Sequence, residues 1–226
     1  MCTHVHPEAV DAAFCQVKSI IYCLNVEISI FQTKKNRNSL FAFLRQTNPE
    51  NLNVSEVMEL AIQNARTSIL RKKLEAVKRE LESQGEYAID RSGQSLDERQ
   101  ADHDKDMKFL KTIVEPNMFS EFFQIRASEA MACVIYGFCK YFKDPVDCLI
   151  RTITYGGDAD TTAAILGALL GSLYGYSWIC SGWFSKLEND HLLGRDGIIN
   201  LAIELADKDF TSHNNIYNLP SYVVKW

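Results

Sequence analysis

The stretch Tyr155-Gly156-Gly157-Asp158-Ala159-Asp160-Thr161-Thr162, with a long charge-free run behind it, constrains this chain more than any other segment. Two carboxylates lie two residues apart, a hydroxyl follows the second, and two glycines precede the first. Glycine lets a backbone turn sharply and approach a ligand closely. Hard oxygen donors at this density suit Mg²⁺ or Mn²⁺ better than zinc, which takes nitrogen and sulfur. A helix starting near Thr161 puts both acids at its N-terminal end, where the dipole favours negative charge. A plainer reading stands beside this one, with Asp160 as a helix cap and Asp158 as a solvated loop acid.

The following run, Thr161 to Phe184, carries no charge. Gly167, Gly171 and Gly175 fall at i, i+4 and i+8, which predicts a helix face without side chains that a neighbouring helix can approach backbone to backbone. Ile165, Leu166, Leu169, Leu170 and Leu173 spread over much of the remaining circumference. A helix apolar nearly all round is a buried one. The run is long enough to span a bilayer, but its hydroxyl residues, its glycines and the acids directly before it favour a core helix and no membrane. The pattern predicts an all-α domain, an orthogonal helical bundle around this buried glycine-ridged central helix. Asp158-x-Asp160-x-Thr162 also fits the D-x-D-x-T pattern of haloacid-dehalogenase-like phosphatases. That pattern ends an apolar parallel strand, and no series of β-α alternations is seen here.

Elsewhere the chain predicts helices broken by polar stretches. A net charge of -5 suggests no nucleic acid partner. Seven cysteines form no C-x-x-C and lie mostly in apolar helical stretches, as small buried side chains of a reducing, cytoplasmic protein. The start shows no basic and apolar leader. Pro7 followed by Glu8 opens a helix. Thr33 to Asn38 is a polar basic loop. Ser55 to Ser83 reads as one long amphipathic helix or a pair, with an outer face of alternating charge. Residues 84–106 read as a surface loop or insertion, with Asp102, His103, Asp104 and Asp106 solvated. Helix returns from Met107 to Lys143 around a break at Pro116. A short helix, Val146 to Thr154, turns Leu149, Ile150 and Ile153 inward. A last helix starts at Arg195, and 210–226 is a surface tail.

The motifs carry a resemblance. Gly156-Gly157-Asp158-Ala159-Asp160-Thr161-Thr162-Ala163-Ala164-Ile165 through Gly175 closely resembles the C-terminal signature of the ADP-ribosylglycohydrolase family, which includes the dinitrogenase-reductase-activating glycohydrolases and the J1-crystallins. Thr3-His4-Val5-His6-Pro7 resembles the family's mid-chain T-H-x-x-P segment. Ala127-Ser128-Glu129-Ala130 is a looser match, and Leu187-Glu188-Asn189 resembles an exit from the core helix. The resemblance runs from Thr3 to about Asp209 and treats 1–209 as one helical domain.

It implies hydrolysis of the glycosidic bond between ADP-ribose and a modified protein or small molecule. Two divalent ions, usually Mg²⁺, would orient ADP-ribose and the attacking water. By resemblance Asp158, Asp160 and Thr161 are metal ligands, while His4, Gly156 and Gly157 lie near ADP-ribose. The family's earlier G-D-x-x-G and T-D-D-T segments, which supply further ligands and an acidic catalytic residue, are not found. The chain is therefore expected to be a fragment or a degenerate member, with impaired activity and self-association through exposed core surface. The alternative is a non-catalytic, crystallin-like or binding protein on the same fold.

Overall fold

Several helix starts in this chain are set by capping residues. The computed structural model describes residues 5–25, 49–118 and 120–207, and among them there are helices and no strand. The α-helices are α1 (Pro7–Asn25), α2 (Val54–Asn64), α3 (Ser68–Gln84), α4 (Leu96–Ile113), α5 (Ala127–Tyr141), α6 (Pro145–Thr154), α7 (Ala159–Tyr174), α8 (Ser181–Phe184) and α9 (Arg195–Asp207). Pro7 opens α1 with its φ already helical. Ser95 and Glu98 form a capping box at the start of α4. The Asp144 carboxylate takes the N–H groups of Val146 and Asp147, both at 3.0 Å, ahead of Pro145 in α6. Among the described residues no helix is long and apolar enough to cross a membrane.

The segment 55–83 is a pair of helices, and Asp11 of α1 marks the break. Its carboxylate, 2% exposed, accepts from Arg66 N–H at 2.8 Å, Thr67 N–H at 2.7 Å and the Thr67 hydroxyl at 2.6 Å. Burial alone would raise this carboxyl. The hydrogen bonds from Arg66 and Thr67 outweigh burial and hold it below the usual carboxylate range. A lowered folded value gives stability that is fully present above the unfolded value of about 3.9. That stability is lost as pH falls through the lower folded value. Asp11→Asn should therefore be less stable than the native chain at neutral pH, with the gap closing under acid. Urea midpoints measured across the acid range check this, and a gap independent of pH would contradict it.

The central helix is α5. Every residue from Ser128 to Tyr141 is buried, and α5 packs against α1, α2, α3, α4, α6 and α7. This corrects the expectation for the glycine-ridged helix, which is α7. Only Thr162, Leu166, Leu169, Leu170, Ser172 and Leu173 of α7 are buried, while Ala164 and Ala168 are exposed. A Cβ added at Gly167 or Gly171 meets nothing within 4 Å. The apolar character of the outer face comes from small residues, whose exposure costs little. The close approach belongs instead to Gly137 of α5, where a Cβ would lie 2.6 Å from Thr152 Oγ1 of α6. Accordingly Gly171→Ala should stabilise by roughly 0.5–1 kcal/mol, the helix-propensity difference, and Gly137→Ala should destabilise. Thermal melting of both variants decides the point; equal signs would refute the assignment of faces.

Two other expectations change. Residues 84–106 are not a surface loop throughout, because α4 begins at Leu96 and its capping box makes helix of the polar run. Asp106 in that run is 0% exposed. In α6 the buried residues are Cys148, Arg151 and Thr152, while Ile150 and Ile153 remain 43% and 39% exposed. The face that meets α5 is the one whose Thr152 reaches Gly137. Cys15, Cys23, Cys133, Cys139 and Cys148 are buried free thiols, and Cys180 is exposed.

The chain divides into two units, residues 1–30 with 47–179, and residues 31–46 with 180–226. The first holds α1 to α7 and the apolar core. In the second, Asn189 and Asp196 hold the start of α9 by a reciprocal pair of hydrogen bonds, both 2.8 Å. This gives Leu187-Glu188-Asn189 a local structural role. The loop Thr33 to Asn38 and the tail 210–226 lie outside the described residues.

Candidate functional site

The glycine turn is built from two left-handed residues. Tyr155 closes α6 and is buried. Gly156 and Gly157 follow with φ of 77° and 71°, values that side chains rarely tolerate. At Gly157 a Cβ would lie 2.2 Å from Gln124 Oε1 and 3.1 Å from the Phe122 carbonyl. Gln124 is 2% exposed. Its Oε1 accepts from Asp158 N–H at 2.9 Å, and its Nε2 donates to the Gly156 carbonyl at 3.4 Å. The second glycine is thus required by both conformation and space.

Asp158 occupies the N-cap position of α7, yet its side chain makes no capping hydrogen bond. The Asp160 carboxyl lies below the usual carboxylate range, first because it shares a hydrogen bond with Asp158, then because it accepts from Thr161 N–H and its own N–H. Asp158 and Asp160 both stand at the start of α7, Asp158 at the N-cap and Asp160 exposed in the first turn. The Thr162 hydroxyl turns inward to the carbonyls of Asp158 and Ala159, at 3.0 and 3.1 Å. Thr161 is the exposed hydroxyl. Asp160, in the first turn of α7, fits the plainer helix-start reading, while Asp158 at the N-cap makes no capping bond.

The segment ahead of α5 meets this turn, and the start of α1 is tied in turn to α5. Ser128, in the first turn of α5, donates to Glu8 Oε2 in the first turn of α1 at 2.7 Å. Gln124, just before α5, is tied to the start of α7. The starts of α1 and α7 are thereby each tied to the region that opens α5. Helix starts carry unpaired N–H groups and the positive end of the dipole, which attract phosphate and other anions. His4 lies outside the described residues. A cavity of about 670 Å³ lies elsewhere, between α3 and α4, with Arg79, Lys105, Lys108 and Phe109 in its wall. None of the turn's residues lines it.

Among the described residues no group of three or more His, Cys, Asp or Glu side chains is placed to hold a metal ion. The pair at the start of α7 fits a smaller role. Mg²⁺ keeps several waters and takes one or two protein carboxylates together with substrate phosphates. Asp158 and Asp160, with the Thr161 hydroxyl, suit part of the shell of one such ion.

Sequence reasoning missed Asp106, Gln124 and the inward role of Tyr155. The Asp106 carboxylate accepts from the hydroxyls of Tyr136, Tyr141 and Tyr155 and from Lys140 Nζ. The available signal was polar residues set inside the apolar α5, at Tyr136, Lys140 and Tyr141.

A family model described as ADP-ribosylglycohydrolase matches residues 1–215. The chain belongs to the ADP-ribosylglycohydrolase family. A relative from Rhodospirillum rubrum, ADP-ribosyl-[dinitrogen reductase] glycohydrolase, is 58% identical over 41 residues, 18% of this chain and 14% of the relative. This chain therefore covers only about one seventh of the length of the curated relative it matches. No solved structure matches significantly. Family membership agrees with the all-helical architecture. It leaves the D-x-D-x-T phosphatase reading without its setting, since the helix α6, not a strand, leads into Asp158.

Proposed function

We propose that this chain acts on ADP-ribose or an ADP-ribosylated protein or small molecule, through the turn Gly156–Thr161. The observation that carries the reading is that the Asp158 side chain makes no capping bond at the start of α7, which leaves it and Asp160 together at a helix N-terminus whose backbone Gln124 holds. The diphosphate of ADP-ribose suits the N–H groups of the helix starts, and the backbone of Gly156 and Gly157 lets it come close. Asp158, Asp160 and the Thr161 hydroxyl would hold a divalent cation, Mg²⁺ or Mn²⁺. Bound there, the ion would supply a polarised water and charge neutralisation at the ribose oxygens.

The reaction is hydrolysis of the glycosidic bond. Water oxygen bonds to the anomeric carbon, the bond to the acceptor breaks, and the acceptor atom leaves with its electron pair and gains a proton. Asp158 and Asp160 orient the water and the ribose in this scheme. No described residue is assigned the proton transfer. A second reading, a non-catalytic ADP-ribose binder on the same fold, is favoured because no group of three or more His, Cys, Asp or Glu side chains is placed to hold a metal among the described residues.

Titration calorimetry with ADP-ribose in Mg²⁺ tests binding, and release of ADP-ribose from a modified protein tests hydrolysis. Asp158→Asn should weaken Mg²⁺ binding about tenfold or more, each tenfold being about 1.4 kcal/mol. Unchanged Mg²⁺ affinity in that variant would overturn the cation role. Binding without release would select the non-catalytic reading.

A further inference from the structure

We propose that Asp106, acting through the Tyr155 hydroxyl, is a positioning residue for the turn that carries Asp158 and Asp160. Asp106 sits on α4 and is 0% exposed. Its Oδ1 accepts from Tyr136 and from Lys140 Nζ, each at 2.7 Å. Its Oδ2 accepts from Tyr141 at 2.5 Å and from Tyr155 at 2.8 Å. Three of these four donors lie on the central helix α5, which fixes the carboxylate to the core. The fourth, Tyr155, belongs to a different segment and leads straight into the glycines.

His103, one turn earlier on α4, stacks on the Tyr155 ring at 5.6 Å between centroids and 23° between planes. Tyr155 is therefore held at its ring by His103 and at its hydroxyl by Asp106. At the other end of the turn, Gln124 holds the Gly156 carbonyl and the Asp158 N–H. The two residues between these anchors are glycines in left-handed conformations. A turn fixed at both ends leaves the direction of Asp158 to the two anchors.

Packing alone does not explain the arrangement. A buried charge carries a desolvation cost that apolar residues of the same shape avoid, so such groups are often replaceable without loss of stability. Phenylalanine would fill the space of Tyr155. What the hydroxyl adds is a directed bond to a fixed point.

The proposal rests on the cation reading for the purpose of the turn, so its test separates the two. Tyr155→Phe and Tyr136→Phe each remove one hydroxyl from the same carboxylate, and only the first touches the turn. Amide hydrogen exchange at Gly157 and Asp158 needs no ligand. It should speed up about fivefold in Tyr155→Phe, the factor that one hydrogen bond of ordinary net strength gives, and stay unchanged in Tyr136→Phe. Affinity for Mn²⁺ alone, followed by its electron paramagnetic resonance signal, should drop by a similar factor in Tyr155→Phe only.

His103→Ala, at the partly exposed stacking partner, is the second variant if Tyr155→Phe does not fold. It should raise exchange at the same two amides. Equal exchange in the two tyrosine variants would overturn the proposal, as would unchanged exchange in His103→Ala when that variant has to be used. If Asp158→Asn weakens Mn²⁺ binding but Tyr155→Phe matches Tyr136→Phe, positioning fails and the cation reading stands. If exchange separates the tyrosine variants but Asp158→Asn leaves Mn²⁺ affinity unchanged, the anchor stands and the cation reading fails.

Discussion

Asp106→Leu should destabilise the chain by about 3–5 kcal/mol, the cost of breaking a buried ion pair by removing one partner. Lys140, 1% exposed, would keep only Glu86 as its carboxylate partner. The hydroxyls of Tyr136, Tyr141 and Tyr155 would lose their common acceptor, and a buried unsatisfied hydroxyl costs roughly 1–3 kcal/mol. These penalties do not add in full, because the side chains shift to find new partners. Even so, the loss is a large share of the roughly 5–15 kcal/mol that holds an ordinary domain together. Burial, then the charge of Asp106, pushes all three hydroxyls well above the usual tyrosine range. They remain donors throughout the neutral range, so the effect does not depend on mildly alkaline conditions. Urea unfolding of the single variant checks the figure. The combination Asp106→Leu with Lys140→Met should recover part of the loss, since the uncompensated charge goes with the lysine. A single-variant loss below about 1 kcal/mol, the size of one ordinary net hydrogen bond, would show that the cluster contributes little.

The same cluster shows where sequence reasoning stops. Asp106 ends a run that alternates polar and charged residues from Asp97, and such a run ordinarily marks solvent. Nothing local distinguishes Asp106 from Asp104. The difference lies in donors 30, 35 and 49 residues away in the chain. Pro7 with Glu8 was a better guide, because a helix start is a contact within a few residues, whereas Thr67, Ser95 with Glu98, and Asp144 cap helices by the same short-range rule and went unread. The glycines divide on the same principle. Gly156 and Gly157 flag themselves by adjacency and by the acids that follow. For Gly167 and Gly171 the spacing gave a face correctly but not its direction, and the glycine that a neighbouring helix requires is the isolated Gly137. The acid pair was legible because its residues are two apart. Gln124, which holds the Asp158 N–H and the Gly156 carbonyl from a distant loop, was not.

Gly157→Ala should be the most damaging small substitution in the turn, and Gly156→Ala is its control. Both glycines sit at left-handed φ, 77° and 71°, where a side chain costs about 1–2 kcal/mol. A Cβ at Gly156 meets nothing within 4 Å, so that variant should lose only the conformational cost. At Gly157 the Cβ would lie 2.2 Å from Gln124 Oε1 and 3.1 Å from a backbone carbonyl. Overpacking of that kind adds roughly 1–3 kcal/mol. Relief requires Gln124 to move, and Gln124 is buried and bonded to both sides of the turn. Its displacement frees the Asp158 N–H and lets the acid swing, so cation affinity should fall together with stability in Gly157→Ala and fall less in Gly156→Ala. Gln124→Ala alone should cost stability through the lost hydrogen bonds. Combined with Gly157→Ala it should cost less than the sum of the two, because the clash disappears with the carboxamide. A double-variant cycle by thermal melting gives the coupling directly. Strict additivity, or a Gly157→Ala no worse than Gly156→Ala, would mean that the carboxamide yields freely and does not fix the direction of Asp158.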